Sequence, residues 1–268
     1  MKVAIIQHVI RQDNLNWNMQ HVSELMDKQA GADLFVLSET FATGFMAEGS
    51  ADKAGMQGMM VLNWMQRQAK RLNAAIAGSV ATKDDDGRLR NRLYFVRPDG
   101  CYDHYDKRHL FSFAGETKEY VAGDRRVVVH WRGFSFLLQV CYDLRFPVFS
   151  RNRIDRFPEG TSEYLYDCAL YVASWPASRI KPWRILLQAR AVENQCYVAA
   201  VNRVGEDPIC RYCGGTEMID AYGRVVASCP DDEVTSTTFE LQMEALHAFR
   251  TKFPVLEDAD VFSLFCKA

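Results

Sequence analysis

The stretch Gln139-Val140-Cys141-Tyr142-Asp143-Leu144-Arg145-Phe146-Pro147 constrains this chain most. Phe134 to Val140 is an apolar run that reads as a buried strand. It stops at a cysteine. Polar residues, an arginine and a proline follow, which predicts a sharp turn into a short helix. A thiol at a strand end beside a helix start is placed for reaction. Free N–H groups and the helix dipole there favour a thiolate and can hold a developing oxyanion.

The rest of the chain supplies layers for such a strand. Val3 to Gln7 and Leu34 to Leu37 read as strands, separated by a helix with Met19, Val22, Leu25 and Met26 on one face. Thr40 to Gly58 reads as a loop, Met59 to Leu72 as a helix and Ala75 to Ala81 as a third strand. Two hairpins follow: Arg92 to Arg97 with Cys101 to Asp106 across Pro98-Asp99-Gly100, and Val127 to Trp131 with Phe134 to Val140 across Arg132-Gly133. Lys107 to Arg125 is a long loop between them, of the kind that usually carries function. Ser150 to Tyr166 reads as a polar surface insertion. Ala169 to Ala173 and Tyr197 to Asn202 are strands around a helix from Trp183 to Asn194, with Leu186, Leu187, Ala189 and Val192 inward. Shorter strands, a last helix from Glu244 to Lys252 and an apolar tail from about residue 253 complete the chain. No Pro/Gly/Ser linker divides residues 1–268, so one layered α/β domain is expected, with two β-sheets between helices.

Composition excludes several classes. The chain has 268 residues, 48% hydrophobic, with a formal net charge of −2, so it can bury a full core and carries no polyanion-binding footprint. No nucleic-acid partner is expected. No apolar stretch approaches the roughly 18–20 residues that cross a bilayer, so no membrane partner is expected either. Lys2 to Ile6 is too short for a signal sequence, and the eight cysteines are scattered. A cytoplasmic protein with free thiols is the expectation.

Three chemically distinct residues recur at one kind of place. Glu39 follows Leu34–Leu37, Lys107 follows Cys101–Asp106 and Cys141 follows Phe134–Val140. Open α/β sheets bind ligands at such strand ends. A carboxylate, an ammonium and a thiol brought together suit nucleophilic catalysis. The carboxylate takes the thiol proton, the lysine holds a tetrahedral oxyanion, and the Tyr142 N–H is a second donor. Glu116, nine residues after Lys107, is placed to orient the lysine or the base. No histidine occupies an equivalent place. Arg145 lies four residues past the cysteine and can present a fork to a substrate carboxylate; the alternative for it is an ion pair that anchors the turn. Trp175, Phe113, Phe41 and Phe45 are candidate pocket walls. Cys210 and Cys213 form a lone C-x-x-C without a second pair, so no metal is expected.

Leu37-Ser38-Glu39-Thr40-Phe41, Tyr105-Asp106-Lys107-Arg108-His109-Leu110-Phe111 and Val140-Cys141-Tyr142-Asp143-Leu144-Arg145-Phe146-Pro147 resemble, in order and separation, the three signature blocks of the nitrilase (carbon–nitrogen hydrolase) superfamily. The resemblance covers nearly the whole chain. It implies a four-layer αββα sandwich and a Glu39–Lys107–Cys141 triad with Glu116 as an additional glutamate, and it implies no cofactor. Tyr105 to Phe111, Ala114-Gly115-Glu116, Ser174-Trp175-Pro176 and the tail from Phe253 are similar to the omega-amidase branch. That branch implies hydrolysis of the distal amide of 2-oxoglutaramate and 2-oxosuccinamate, small anionic amides, with Arg145 holding the carboxylate. Paired subunits with tails crossing the interface are implied too, hence a homodimer or higher homo-oligomer. An N-carbamoyl amino acid amidohydrolase is the nearest rival and a non-catalytic scaffold the rival of another class.

Overall fold

Val3 and Ile5 enter one hydrophobic core, and Ala4 and Ile6 enter another. This period-two split follows from the pleat of a strand, and it recurs on strand after strand until four layers result. The structure, a computed structural model, describes residues 1–12, 14–44, 51–156, 158 and 162–264. Phe45 and Phe265 lie outside them.

In chain order the elements begin β1 (Lys2–Gln7), α1 (Leu15–Asp27), β2 (Leu34–Val36), α2 (Ala51–Leu72), β3 (Ala75–Lys83), β4 (Leu89–Val96) and β5 (Tyr102–Asp106). A short α3 (Glu116–Glu119) precedes β6 (Val128–Trp131) and β7 (Phe134–Val140), and α4 (Pro147–Ser150) and a hairpin of β8 (Ile154–Arg156) and β9 (Ser162–Tyr164) follow. Next come β10 (Cys168–Ala173), α5 (Ile180–Asn194), β11 (Tyr197–Asn202) and a hairpin of β12 (Val204–Glu206) and β13 (Arg211–Cys213). Then β14 (Glu217–Ile219), β15 (Val225–Ser228), β16 (Thr235–Glu240) and α6 (Met243–Lys252) follow.

One six-stranded sheet has the order β16-β1-β2-β3-β4-β5 and the other β15-β14-β11-β10-β7-β6. Between them lies a core of Val3, Val36, Ala77 and Phe95 from the first sheet against Phe136, Leu138, Leu170, Val172 and Val201 from the second. Each such large side chain, fully buried, contributes about 1.5–3 kcal/mol. The outer face of the first sheet packs on α1 and α2 through Val22, Met26, Trp64 and Met65. The outer face of the second packs on α5 through Trp183, Leu187 and Ala191. This is the αββα sandwich.

Strand direction positions the site. β1, β2 and β3 are parallel, and β5, two antiparallel steps from β3, runs the same way. Glu39 and Lys107 therefore leave the same edge of one sheet. β7 and β10 are parallel, so Cys141 and Ser174 leave one edge of the other sheet. The two edges meet where the Glu39 N–H donates to Ala173 O at 3.4 Å.

Three expectations change. α2 begins at Ala51, not at Met59, because Gly55 and Gly58 are helical rather than loop residues. A Cβ on Gly58 would lie 2.6 Å from Thr82 Oγ1 and 2.9 Å from Ala81 O, so glycine is what lets the helix close on β3. The insertion after Ser150 contains the β8–β9 hairpin, closed at its base where Asn152 Nδ2 donates to Tyr166 O at 3.0 Å. On α5 the inward stripe is Trp183, Leu187, Arg190, Ala191 and Asn194, whereas Val192 is 51% exposed. Among the described residues no helix is long and apolar enough to cross a membrane.

Candidate active site

Lys107 stands where β5 ends, nearly solvent-free between two carboxylates. Its Nζ donates to Glu39 Oε1 at 2.8 Å and to both oxygens of Glu116, at 3.0 and 2.9 Å. Burial opposes the ammonium charge, but Glu116 and Glu39 outweigh it and hold its pKa well above the usual lysine value. Lys107 is thus a permanent cation. Gly123 lies against this strand end; a Cβ there would fall 2.2 Å from Asp106 O, and its N–H donates to Lys107 O at 3.0 Å.

The carboxylates are themselves fixed. Glu39 Oε1 accepts from Asn91 Nδ2 at 2.7 Å and Oε2 from the Ser174 N–H at 2.9 Å, so both sheets orient it. Glu116 Oε2 accepts from the Phe111 N–H at 2.5 Å, and Asn91 reaches Glu116 Oε1 at 3.3 Å. Asn91 spans the two carboxylates.

Cys141 begins a five-residue 3-10 turn after β7 with φ of 47°, a left-handed conformation that is costly for a residue with a Cβ. Asp143 holds that turn. It is fully buried, and its Oδ2 accepts from the Val140 N–H at 2.9 Å and the Tyr105 hydroxyl at 2.8 Å. Its Oδ1 accepts from the His109 N–H at 3.0 Å and lies 2.7 Å from His109 Nδ1. From behind, Arg190 Nη2 donates to Leu144 O at 2.5 Å.

Burial works against the thiolate that the free N–H groups of the turn favour. Burial, and then the charge of Glu39, push the Cys141 thiol well above its ordinary range, and Lys107 pulls the other way without prevailing. A turn this short has little dipole to set against desolvation. Glu39 and Cys141 line the same cavity. The arrangement is a neutral thiol with a carboxylate acceptor beside it.

These groups line a cavity of about 130 Å³ that also takes in Phe111, Tyr142, Arg145, Trp175 and Arg179. Two larger surface clefts, of about 630 and 720 Å³, hold none of Glu39, Lys107, Glu116 and Cys141. The first is walled by charges already matched to one another, such as Arg92 with Asp106 at 2.6 Å. Arg145 lies over the Trp175 ring, 5.0 Å from its centroid, and among the described residues no carboxylate pairs with it. The anchoring ion pair considered for Arg145 is therefore absent among them. Phe113 is not a wall: it is 86% exposed, and Phe111, its neighbour at 5.8 Å between centroids, faces the cavity instead. The 3-10 turn Ser112–Ala114 turns the second ring outward. Phe41 is buried in the α1/α2 core, away from the site. None of the described residues between 152 and 166 lines the cavity.

The carbon–nitrogen hydrolase family model matches residues 2–251. The chain belongs to that family. It is 43% identical over 266 residues to the omega-amidase YafV of Escherichia coli strain K12, covering 99% of each protein. It is 30% identical over 261 residues to the 2-oxoglutaramate amidase of Bacillus subtilis strain 168, covering 96% of each. Among solved structures, a CN-hydrolase superfamily protein of Xanthomonas campestris with an arsenic adduct in its active site matches with a TM-score of 0.92 and 41% identity over 99% of each chain. The protein is a hydrolase that acts on carbon–nitrogen bonds of amides.

Several residues of this hydrolase's site escaped the sequence reading. Asn91 was missed because the strand was expected to begin at Arg92, whereas β4 starts at Leu89. Arg90 is in fact buried, paired with Asp84 at 2.9 Å. Arg179 follows Trp175 and Pro176 on the turn after β10, and Asp207, Cys210 and Tyr212 reach the cavity from the β12–β13 hairpin. The signal for Arg179 was its nearness to Trp175; Cys210 stood out only as half of a lone C-x-x-C, and Asp207 and Tyr212 carried no signal.

Proposed function

We propose that this hydrolase is an omega-amidase that releases ammonia from small 2-oxo dicarboxylate monoamides such as 2-oxoglutaramate and 2-oxosuccinamate. The observation that carries the reading is one cavity with Lys107 between two carboxylates beside Cys141 and an arginine, Arg145, free of any carboxylate partner among the described residues. Its kinship with omega-amidases supports it.

In this scheme the amide carbonyl enters beside Cys141. Glu39 takes the thiol proton as sulfur attacks the carbonyl carbon. The oxyanion of the tetrahedral adduct is held by the Tyr142 N–H and by the Lys107 N–H that Glu39 gives up once it has taken the proton. Glu39 returns the proton to the departing nitrogen and ammonia leaves a thioester. Glu39 then draws a proton from water, which attacks the thioester and frees the carboxylic acid and the thiol. Glu116 keeps Lys107 in place throughout, and Arg145 holds the distal carboxylate of the substrate against the Trp175 wall.

The exposed apolar tail residues Phe253, Val261 and Phe262 favour a homodimer that covers them, which light scattering at working concentration checks. The same reading places the enzyme in the cytoplasm, where Cys141 stays reduced. The function itself is tested by ammonia release from 2-oxoglutaramate, 2-oxosuccinamate, glutamine, an N-carbamoyl amino acid and a simple nitrile. The 2-oxo amides are expected to have the highest kcat/KM, and Cys141→Ala to lower it by at least about 10⁴ with an unchanged circular dichroism spectrum. Faster turnover of the carbamoyl compound or the nitrile, or an active Cys141→Ala protein, sinks the reading.

A further inference from the structure

The cavity holds a second guanidinium that the reaction scheme leaves idle. Arg179 is partly buried, over the Phe111 ring with its Cζ 5.4 Å from the centroid, on the wall shared with Arg145 and Cys141. Its main chain is tethered, because Trp175 Nε1 donates to Arg179 O at 2.7 Å, and Trp175 N donates in turn to Asn202 Oδ1 at 2.7 Å. Among the described residues no carboxylate pairs with the Arg179 guanidinium. The acidic groups of the cavity are committed elsewhere: Glu39 and Glu116 to Lys107, and Asp207 to the Tyr212 hydroxyl at 2.7 Å and the Ile209 N–H at 2.9 Å. The third arginine of the cavity, Arg203, is buried with Asp207 at 3.7 Å and donates to Ile10 O at 3.2 Å. Arg145 and Arg179 are thus the two cations of the cavity that no carboxylate balances among the described residues. A guanidinium that rests its face on an aromatic ring keeps its in-plane N–H groups free for an anion.

A carboxylate alone occupies one fork. A 2-oxo acid presents three coplanar oxygens, two on the carboxylate and one on the adjacent ketone, and the third needs another donor. The corresponding amino acid presents an ammonium at that carbon, which offers no acceptor and repels a guanidinium. We propose that Arg179 reads the substituent next to the carboxylate, donating to the 2-oxo group and rejecting a 2-amino group, so that the enzyme selects 2-oxo amides over glutamine and asparagine. This rests on the omega-amidase reading and adds to it the residue that sets the choice.

The test compares 2-oxoglutaramate, glutamine, glutaramate, which carries no substituent at that carbon, and neutral pentanamide. Wild-type enzyme, Arg179→Gln and Arg179→Lys are assayed for kcat and KM on each. Arg179→Gln is expected to lower kcat/KM for 2-oxoglutaramate about 30-fold, mainly through KM, the loss typical of one charge-assisted hydrogen-bond pair. Glutamine is expected to hold or gain, so that the 2-oxo to 2-amino preference shrinks by about tenfold or more, while pentanamide changes by less than about threefold. Arg179→Lys, which keeps the charge, is expected to go on rejecting glutamine. An equal loss on 2-oxoglutaramate and pentanamide would assign Arg179 a merely structural part and overturn the proposal, as would an unchanged 2-oxo to 2-amino ratio. A wild-type enzyme no faster on 2-oxoglutaramate than on pentanamide would instead overturn the omega-amidase reading beneath it.

Discussion

Lys107 has three N–H donors and spends them on two carboxylates, one of which the scheme needs as a base. Glu116 takes both its oxygens to the ammonium, so Glu39 is engaged through Oε1 alone. Without the Glu116 charge, Lys107 would be drawn further onto Glu39 and away from the position of the oxyanion. Glu116→Gln keeps the shape and the Phe111 N–H acceptor but removes one anion. Its kcat is expected to fall about 10²–10³-fold with a smaller change in KM, the range seen when one oxyanion donor is misplaced. Steady-state kinetics on 2-oxoglutaramate measure this, and a kcat within about threefold of wild type would remove Glu116 from the machinery.

At the scale of the element, the turn that starts at Cys141 is too short to hold itself in a left-handed start. It is held from outside. Asp143 ties the end of β7 to Tyr105 on β5 and to His109, and so links the two sheets directly beneath the nucleophile. Arg190 ties it to α5. Asp143→Asn replaces an acceptor-only group with one whose amide hydrogens face the Tyr105, His109 and Val140 donors. Because the group is fully buried, the variant is expected to lose about 2–4 kcal/mol of stability and most of its activity. Urea unfolding and the amidase assay check this; full stability would mean that the turn is braced some other way.

At the scale of the whole molecule, His8 couples stability to acid. It follows β1 and is fully buried, with Nε2 3.2 Å from Phe41 O. Burial pulls its pKa down from 6.5 to about 4. The imidazole is neutral in the fold, with Nε2–H donating to that carbonyl. The unfolded chain takes up a proton below 6.5, so this contribution is complete above pH 6.5 and is lost as pH falls toward 4. The loss is at most about 3 kcal/mol. The unfolding free energy of wild-type protein is expected to drop between pH 7 and pH 4.5, and His8→Gln to flatten that part of the curve. Parallel curves for the two proteins would place the acid sensitivity in other groups.

Side-chain periodicity is local chemistry, and residue order alone was enough for the strands of the two six-stranded sheets, most helices, the layered class and the three strand-end residues, but not for the β8–β9 and β12–β13 hairpins. Glu39, Lys107 and Cys141 were legible because each interrupts an apolar run, and an interruption at a strand end can be seen without knowing what lies across from it. Phe111 and Phe113 were not separable, since one 3-10 turn decides which ring faces the cavity. Asn91, Arg179 and Arg190 were not legible either. Each looks like an ordinary polar residue until the fold brings Asn91 to Glu39, Arg190 to Leu144 O and Arg179 to the Phe111 ring. The charge of Cys141 also waited on the tertiary structure. The strand-end position favours a thiolate, but ionisation also depends on how much water the packed sheets exclude and on which carboxylate they set beside the sulfur.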